Sequence, residues 1–221
     1  MDVVQRALVD LYDLGGPVVL VMLAVSVLTM AVMLYKLWQF SAAGVGRHQA
    51  LSRAVLAWDR GAPEEAQKAL CASRSYLAPV IGMAFAQDVD RPRLETEAES
   101  RFAKLESGMR FLDSVAQLSP LLGLFGTVLG MISAFQALQD AGSQVDPSIL
   151  AGGIWVALLT TAVGLVIAMP TSVVLSWLEA RLDRDRVLAG HAIATIMSPN
   201  ANTMQAQNTE SPPFQAATAH A

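Results

Sequence analysis

Residues 14–35, 114–139 and 147–178 contain no Asp, Glu, Lys, Arg or His, so 80 of the 221 residues carry no charge. Each block is long enough to cross a bilayer, whose hydrocarbon core takes about 20 apolar helical residues. Cysteine is nearly absent too. Cys71 stands alone, which rules out an internal disulfide, and no CxxC or Cys/His cluster offers a metal or redox centre. It reads as an ordinary loop residue. A basic surplus is also missing: the net charge is −4, against the positive surface that nucleic-acid binding requires, so no nucleic-acid partner is expected. Charged residues make up 15% of the chain, where soluble domains carry about 25%. No Ser/His/Asp set, phosphate-binding glycine loop or metal cluster occurs, so neither enzymatic activity nor a cofactor is expected. His48 and His191 read as solvated residues of cytoplasmic helices and His220 as part of the tail, none with metal-ligand spacing.

What is present is apolar. Hydrophobic residues reach 53% and mean hydropathy is +0.43. The Lys and Arg residues orient the spans by the positive-inside rule. Eleven of the fifteen lie between Lys36 and Arg110, and Arg181, Arg184 and Arg186 follow the third span. Residues 140–146 hold no base, and Arg6 stands among Asp2, Asp10 and Asp13. The N-terminus and the short loop are therefore placed outside, the large loop and C-terminus in the cytoplasm. A signal peptide fits the first block poorly, because the apolar run is too long and its N-terminal flank is acidic, although Ser41-Ala42-Ala43 is a passable cleavage site. Tyr12 on one side and Tyr35, Trp38 and Phe40 on the other suit the aromatic belts of a retained span.

These readings give an all-α membrane protein: outer N-terminus 1–13, span one 14–38, cytoplasmic helical loop 39–112, span two 113–138, outer loop 139–148, span three 149–178, cytoplasmic helix 179–197 and disordered tail 198–221. In the loop, Gly61-Ala62-Pro63-Glu64-Glu65 reads as a turn and helix start. Leu94, Ala98, Phe102, Leu105, Met109 and Leu112 form one apolar stripe, with Glu97–Arg101 and Glu106–Arg110 as i,i+4 pairs. With no strong breaker before Pro120, one long helix is expected to run from the cytoplasm through span two, Ser119 helping to satisfy the backbone freed by that proline. Pro170 is expected to kink span three. Asp113, at the cytoplasmic mouth of span two, is either a cation attractor or, the preferred reading, a partner for Arg110 at i−3.

Spans two and three carry small residues at helical spacing. Ser119, Gly123, Thr127, Gly130 and Ala134 fall on one face, and Gly153, Ala157, Thr161, Gly164, Ala168 and Ser172 on another. Gly126 is a further packing candidate. Such faces let helices approach closely in lipid. They serve either as packing surfaces within the chain or as a polar path lined by threonines. Span one, rich in Val, Leu and Met, reads as lipid-facing or peripheral.

The strings LSPLLGLFGTVLGMI (118–132) and GGIWVALLTTAVGL (152–165) closely resemble the ExbB/TolQ/MotA proton-channel family, and the three-span layout is similar to its ExbB and TolQ branch. The resemblance implies a ring-forming homo-oligomer, a pentamer in the family, around helices of an ExbD- or TolR-like single-span partner. That partner's membrane Asp carries the proton, and the complex, in the bacterial inner membrane, drives a TonB- or TolA-like protein that reaches the outer membrane. By position Thr127 and Thr161 match the family's pore-lining threonines, and Thr160 and Ser133 are added to that path.

The chain departs from the family at one place. ExbB and TolQ members commonly carry a glutamate two residues after the Ile of the Gly-Gly-Ile motif, where this chain has Val156. Acids inside a membrane are costly and usually functional. Threonine hydroxyls order water or bond a protonated carboxyl, but do not release a proton near neutral pH. Three readings follow: a proton-channel stator subunit whose partner brings the acid, a scaffold that conducts poorly, or an unrelated membrane protein packed through small residues.

Overall fold

The structure, a computed structural model, describes residues 2–86, 89–140 and 147–198, with the backbone alone for 2–16 and 149. All regular structure among them is helical: α1 (Asp2–Ala43), α2 (Gln49–Asp59), α3 (Pro63–Cys71), α4 (Ala78–Phe85), α5 (Arg91–Glu106), α6 (Met109–Asp140) and α7 (Pro147–Met197). Three stretches are long and apolar enough to cross a membrane: Pro17–Ala43, Met109–Asp140 and Leu150–Met197. Pro120 and Pro170 lie inside α6 and α7, so each removes one backbone hydrogen bond without ending its helix. The tail beyond 198, residues 141–146 with Asp146, His220, and the side chains of Tyr12 and the N-terminal charges lie outside the described residues.

One expectation is corrected at the entry to span two. The stripe does not continue as a single helix: α5 stops at Glu106 and α6 starts at Met109. Between them Gly108 adopts φ +86°, a left-handed conformation that no helix interior accommodates. The break also undoes one expected ion pair. Glu97 and Arg101, both within α5, bond at 2.9 Å, whereas Glu106 and Arg110 sit on different helices and do not pair. Asp113 is corrected as well: it accepts a hydrogen bond from Gln117 at 2.7 Å rather than pairing with Arg110. Helical side chains lean towards the N-terminus, so Gln117 leans onto Asp113 while Arg110 leans away.

The chain falls into two compact units, Met1–Trp38 with Glu106–Ala180, and Gln39–Leu105 with Arg181–Ala221. In the first, Met22 of α1 is buried with Val115 of α6 and Ile167 of α7, and Val18, Val25, Leu122 and Val163 pack around them. The outward faces are apolar instead of polar: Val27, Leu34, Leu121, Phe125, Leu158, Val166 and Val173 are all exposed. Continuous exposed apolar surface on this scale belongs in lipid or against another chain. On α1 the buried hydroxyl of Thr29 bonds its own helix at Val25 O, 2.7 Å away, while Lys36, 2% exposed, packs its side chain beside Gly108.

The second unit is a helical core of ordinary type. Leu51, Ala54, Leu70, Ile81, Leu94, Phe102, Leu182 and Ile193 are buried, and Trp58 stacks on Phe85 at 4.3 Å. Pro63 opens α3 with Glu64 and Glu65 in its first turn, and Cys71 is the exposed last residue of that helix, not a loop residue. The expectation of a solvated His48 is overturned. His48 is 8% exposed and its Nε2 lies 2.7 Å from Oδ1 of Asp185, itself 2% exposed. Tyr76 donates its hydroxyl to Oδ2 of the same carboxylate at 2.9 Å. The two polar residues are buried because they satisfy each other. Burial and the Asp185 carboxylate, through its charge and its hydrogen bond, push the Tyr76 phenol well above its ordinary range against a smaller opposite effect of Arg186. His191 is exposed, as expected.

Candidate functional site in the paired membrane helices

Glycine and alanine let two helices approach until their backbones touch, and α6 and α7 do so in antiparallel fashion. Low-numbered residues of α6 meet high-numbered residues of α7: Ser119 faces Gly164, Gly123 faces Thr160 and Thr161, Gly130 faces Ala157, and Ala134 faces Gly153. A Cβ on Gly123 would stand 2.9 Å from Thr160 O and 3.0 Å from Thr161 Cα, and one on Gly126 would stand 2.7 Å from Thr160 Cβ. The bare Gly123 carbonyl is thereby open to α7. Thr160 Oγ1 donates to it at 3.2 Å and Thr161 Oγ1 at 3.3 Å. Thr160 is 1% exposed and also lies 2.7 Å from Ala157 O within its own helix.

The predicted residues thus separate into two sets. Ser119, Gly123, Gly126, Gly130, Gly153, Ala157, Thr160, Thr161 and Gly164 are brought together in one close seam. Thr127 stands beside it, half-buried, and donates to Leu124 O of its own helix at 2.6 Å. Ser133 is exposed along the helix but borders a cavity of about 430 Å³, together with Gly126, Gly130, Gly153, Val156 and Thr160. Pro17 and Val18 of α1 complete that cavity, a contribution that no pattern within α1 announces. Val156, at the position where the family resemblance places an acid, is part of its wall.

Ser119 does not do what its place before Pro120 suggests. Its Oγ is buried, the residue being 2% exposed, and finds no hydrogen-bond partner among the described residues. The freed backbone at Pro120 therefore gains nothing from it. Sequence reasoning also missed Thr171, fully buried on α7, whose hydroxyl bonds Ile167 O at 2.7 Å. A hydroxyl that bonds its own preceding turn needs no partner helix and leaves no spacing signal.

Chemically the seam offers hydroxyls, one doubly engaged carbonyl and apolar walls. Neither α6 between Ser114 and Gln139 nor α7 between Pro147 and Leu178 supplies a carboxylate or a base. The site can order water and hydrogen-bond a neutral acid, but no group in it titrates near neutral pH.

The model of the MotA/TolQ/ExbB proton channel family matches residues 82–190, which take in α6 and most of α7. The chain is 39% identical over 90 residues to the biopolymer transport protein exbB1 of Vibrio cholerae serotype O1, covering 41% of this chain and 40% of that protein. An ExbB-like biopolymer transport protein of Synechocystis sp. is 32% identical over 170 residues, 73% of this chain and 66% of its own length. The Tol-Pal system protein TolQ of Haemophilus influenzae is 43% identical over 79 residues, 36% of this chain and 34% of that protein. The aligned stretches span from about a third to two thirds of these relatives.

Proposed function

The chain belongs to the MotA/TolQ/ExbB proton channel family, and on that premise we propose that it is the channel or stator subunit of an ExbB–ExbD-like inner-membrane complex that uses the proton-motive force to energise TonB-dependent or Tol-type transport. It is not an enzyme on this reading. The observation that carries it is the α6–α7 seam, held by glycine, alanine and the paired Thr160 and Thr161 hydroxyls, with a cavity beside it and no titrating group. Such walls give a moving helix hydrogen bonds without trapping its charge. The acid comes from an ExbD- or TolR-like partner whose single span carries an Asp, and a TonB- or TolA-like protein takes up the work. Exposed apolar faces on α1, α6 and α7 suit a homo-oligomer, a pentamer by resemblance, within the bilayer. The base-rich loop and C-terminus face the cytoplasm and the N-terminus the periplasm.

A second reading has its own support. Val156 borders the cavity at the position where the family resemblance places a glutamate, and if that acid is indispensable the chain is a scaffold with little conduction. Reconstitution with the single-span partner in vesicles separates the two. Proton uptake that disappears when the partner's Asp becomes Asn supports the channel. An intact complex without uptake, restored by Val156→Glu, supports the scaffold. Thr127→Val and Thr161→Val are expected to lower uptake more than assembly. Full activity in both refutes their place on the path.

A further inference from the structure

Away from the membrane helices, a cavity of about 680 Å³ opens in the second unit between the start of α2 and α7 residues 181–188. Three guanidinium groups line it, those of Arg53, Arg181 and Arg184. Arg53 and Arg184 are exposed and form no ion pair among the described residues. Gly46, at φ +79°, brings its backbone so close to Arg181 that a Cβ there would collide with Nη1. Any larger residue would displace that guanidinium.

Backbone donors add to the positive wall. His48 caps α2 without a side-chain hydrogen bond to its first turn, so the N–H groups at the start of the helix face outward with the positive end of its dipole. Gln49 and Ser52 of that turn border the cavity. The Gly46 amide is engaged nearby: it donates to Nε2 of His48 at 3.1 Å and ties the loop before α2 to that ring.

The one acid in the wall, Asp185, offsets one of the three guanidinium charges and leaves the wall net positive. Both oxygens of Asp185 are engaged, one by His48 and one by Tyr76. Guanidinium forks and helix N–H groups around one space match the tetrahedral oxygens of a phosphate. Arg181 is the third residue after the charge-free block 147–178 ends. Three residues are about 4.5 Å of helix, which is the depth of a lipid headgroup.

We propose that this cavity binds a phosphate-bearing anion through Arg53, Arg181, Arg184 and the amides of the first turn of α2. The chemistry is shared by an anionic phospholipid headgroup and a soluble phosphate compound. It does not depend on proton conduction by the membrane helices.

The test uses the full chain in neutral detergent, offered phosphatidylglycerol, phosphatidylcholine or inorganic phosphate, with bound lipid counted by native mass spectrometry and phosphate by equilibrium dialysis. The wild type is expected to retain phosphatidylglycerol over phosphatidylcholine by about tenfold, and R53A/R184A to lose about tenfold for each guanidinium. Gln49→Glu separates binding from folding. A carboxylate in the first turn favours the helix yet repels the anion, so melting should hold or rise while binding falls. Phosphate binding that depends on Arg53 and Arg184, without preference for phosphatidylglycerol, assigns the site to a soluble ligand and upholds it. Binding of both probes that is unchanged in R53A/R184A and Q49E, or equally reduced by R60A/R93A elsewhere on the unit, overturns it.

Discussion

Adding one carbon to Gly123 tests the geometry of the α6–α7 seam. The alanine Cβ would stand 2.9 Å from Thr160 O and 3.0 Å from Thr161 Cα, both closer than ordinary contact. These are backbone atoms of a helix, so no rotamer change relieves the clash and the helices must separate by about half an ångström. The two threonine hydrogen bonds to Gly123 O, at 3.2 and 3.3 Å, would then stretch beyond useful length. Interhelical hydrogen bonds in membranes average about 0.6 kcal/mol each, and overpacking costs about 1–3 kcal/mol. Alanine recovers up to about 1 kcal/mol of helix propensity. The net expectation for Gly123→Ala is a loss of about 1–3 kcal/mol, measured by steric trapping or by unfolding in mixed micelles. Gly152→Ala and Gly190→Ala are the controls, since a Cβ at either meets nothing within 4 Å. Both should match the wild type or gain slightly. A Gly123→Ala protein as stable as these controls would mean that the helices do not touch at Thr160 and Thr161.

Ser119→Ala is expected to leave stability unchanged or raise it by about 1 kcal/mol, because it removes a buried hydroxyl without a partner. A clear loss in the same unfolding assay would refute this by revealing a stabilising hydrogen bond of the hydroxyl. His48→Ala should cost about 3 kcal/mol or more by leaving the buried Asp185 without its imidazole, read as a lowered melting temperature of the second unit. Tyr76, raised above the ordinary phenol value of 10.0, contributes stability that is complete below that pH and is lost as pH rises beyond it, since only the unfolded chain ionises there readily. Alkaline titration followed by ultraviolet absorbance should show one late phenolate step that coincides with unfolding and is missing in Tyr76→Phe. A Tyr76 that titrates with free tyrosine would refute its bond to Asp185.

How much of this was legible beforehand depends on how local each signal is. The spans were legible because lack of charge is a property of each segment alone, and the stripe of α5 because every fourth or third position repeats. The break at Gly108 was not, because glycine is tolerated inside a helical pattern and its left-handed φ is imposed from outside it. The burial of His48 was hidden for a related reason: it meets Asp185 across distant segments, and no spacing rule joins them. The threonines show a finer limit. Steps of four selected Thr161 for the packing face, yet the deepest contact goes to Thr160, since a 3.6-residue period drifts between neighbouring positions over several turns. Val156 joins the two levels. In the sequence it is a missing acid, and in the structure it borders a cavity of about 430 Å³. A cavity of that size has room for the extra atoms of a glutamate, so packing does not force valine there. The acid that the family resemblance places there is thus absent for a chemical and not a steric reason, and the proposed channel role requires that a partner bring the proton carrier.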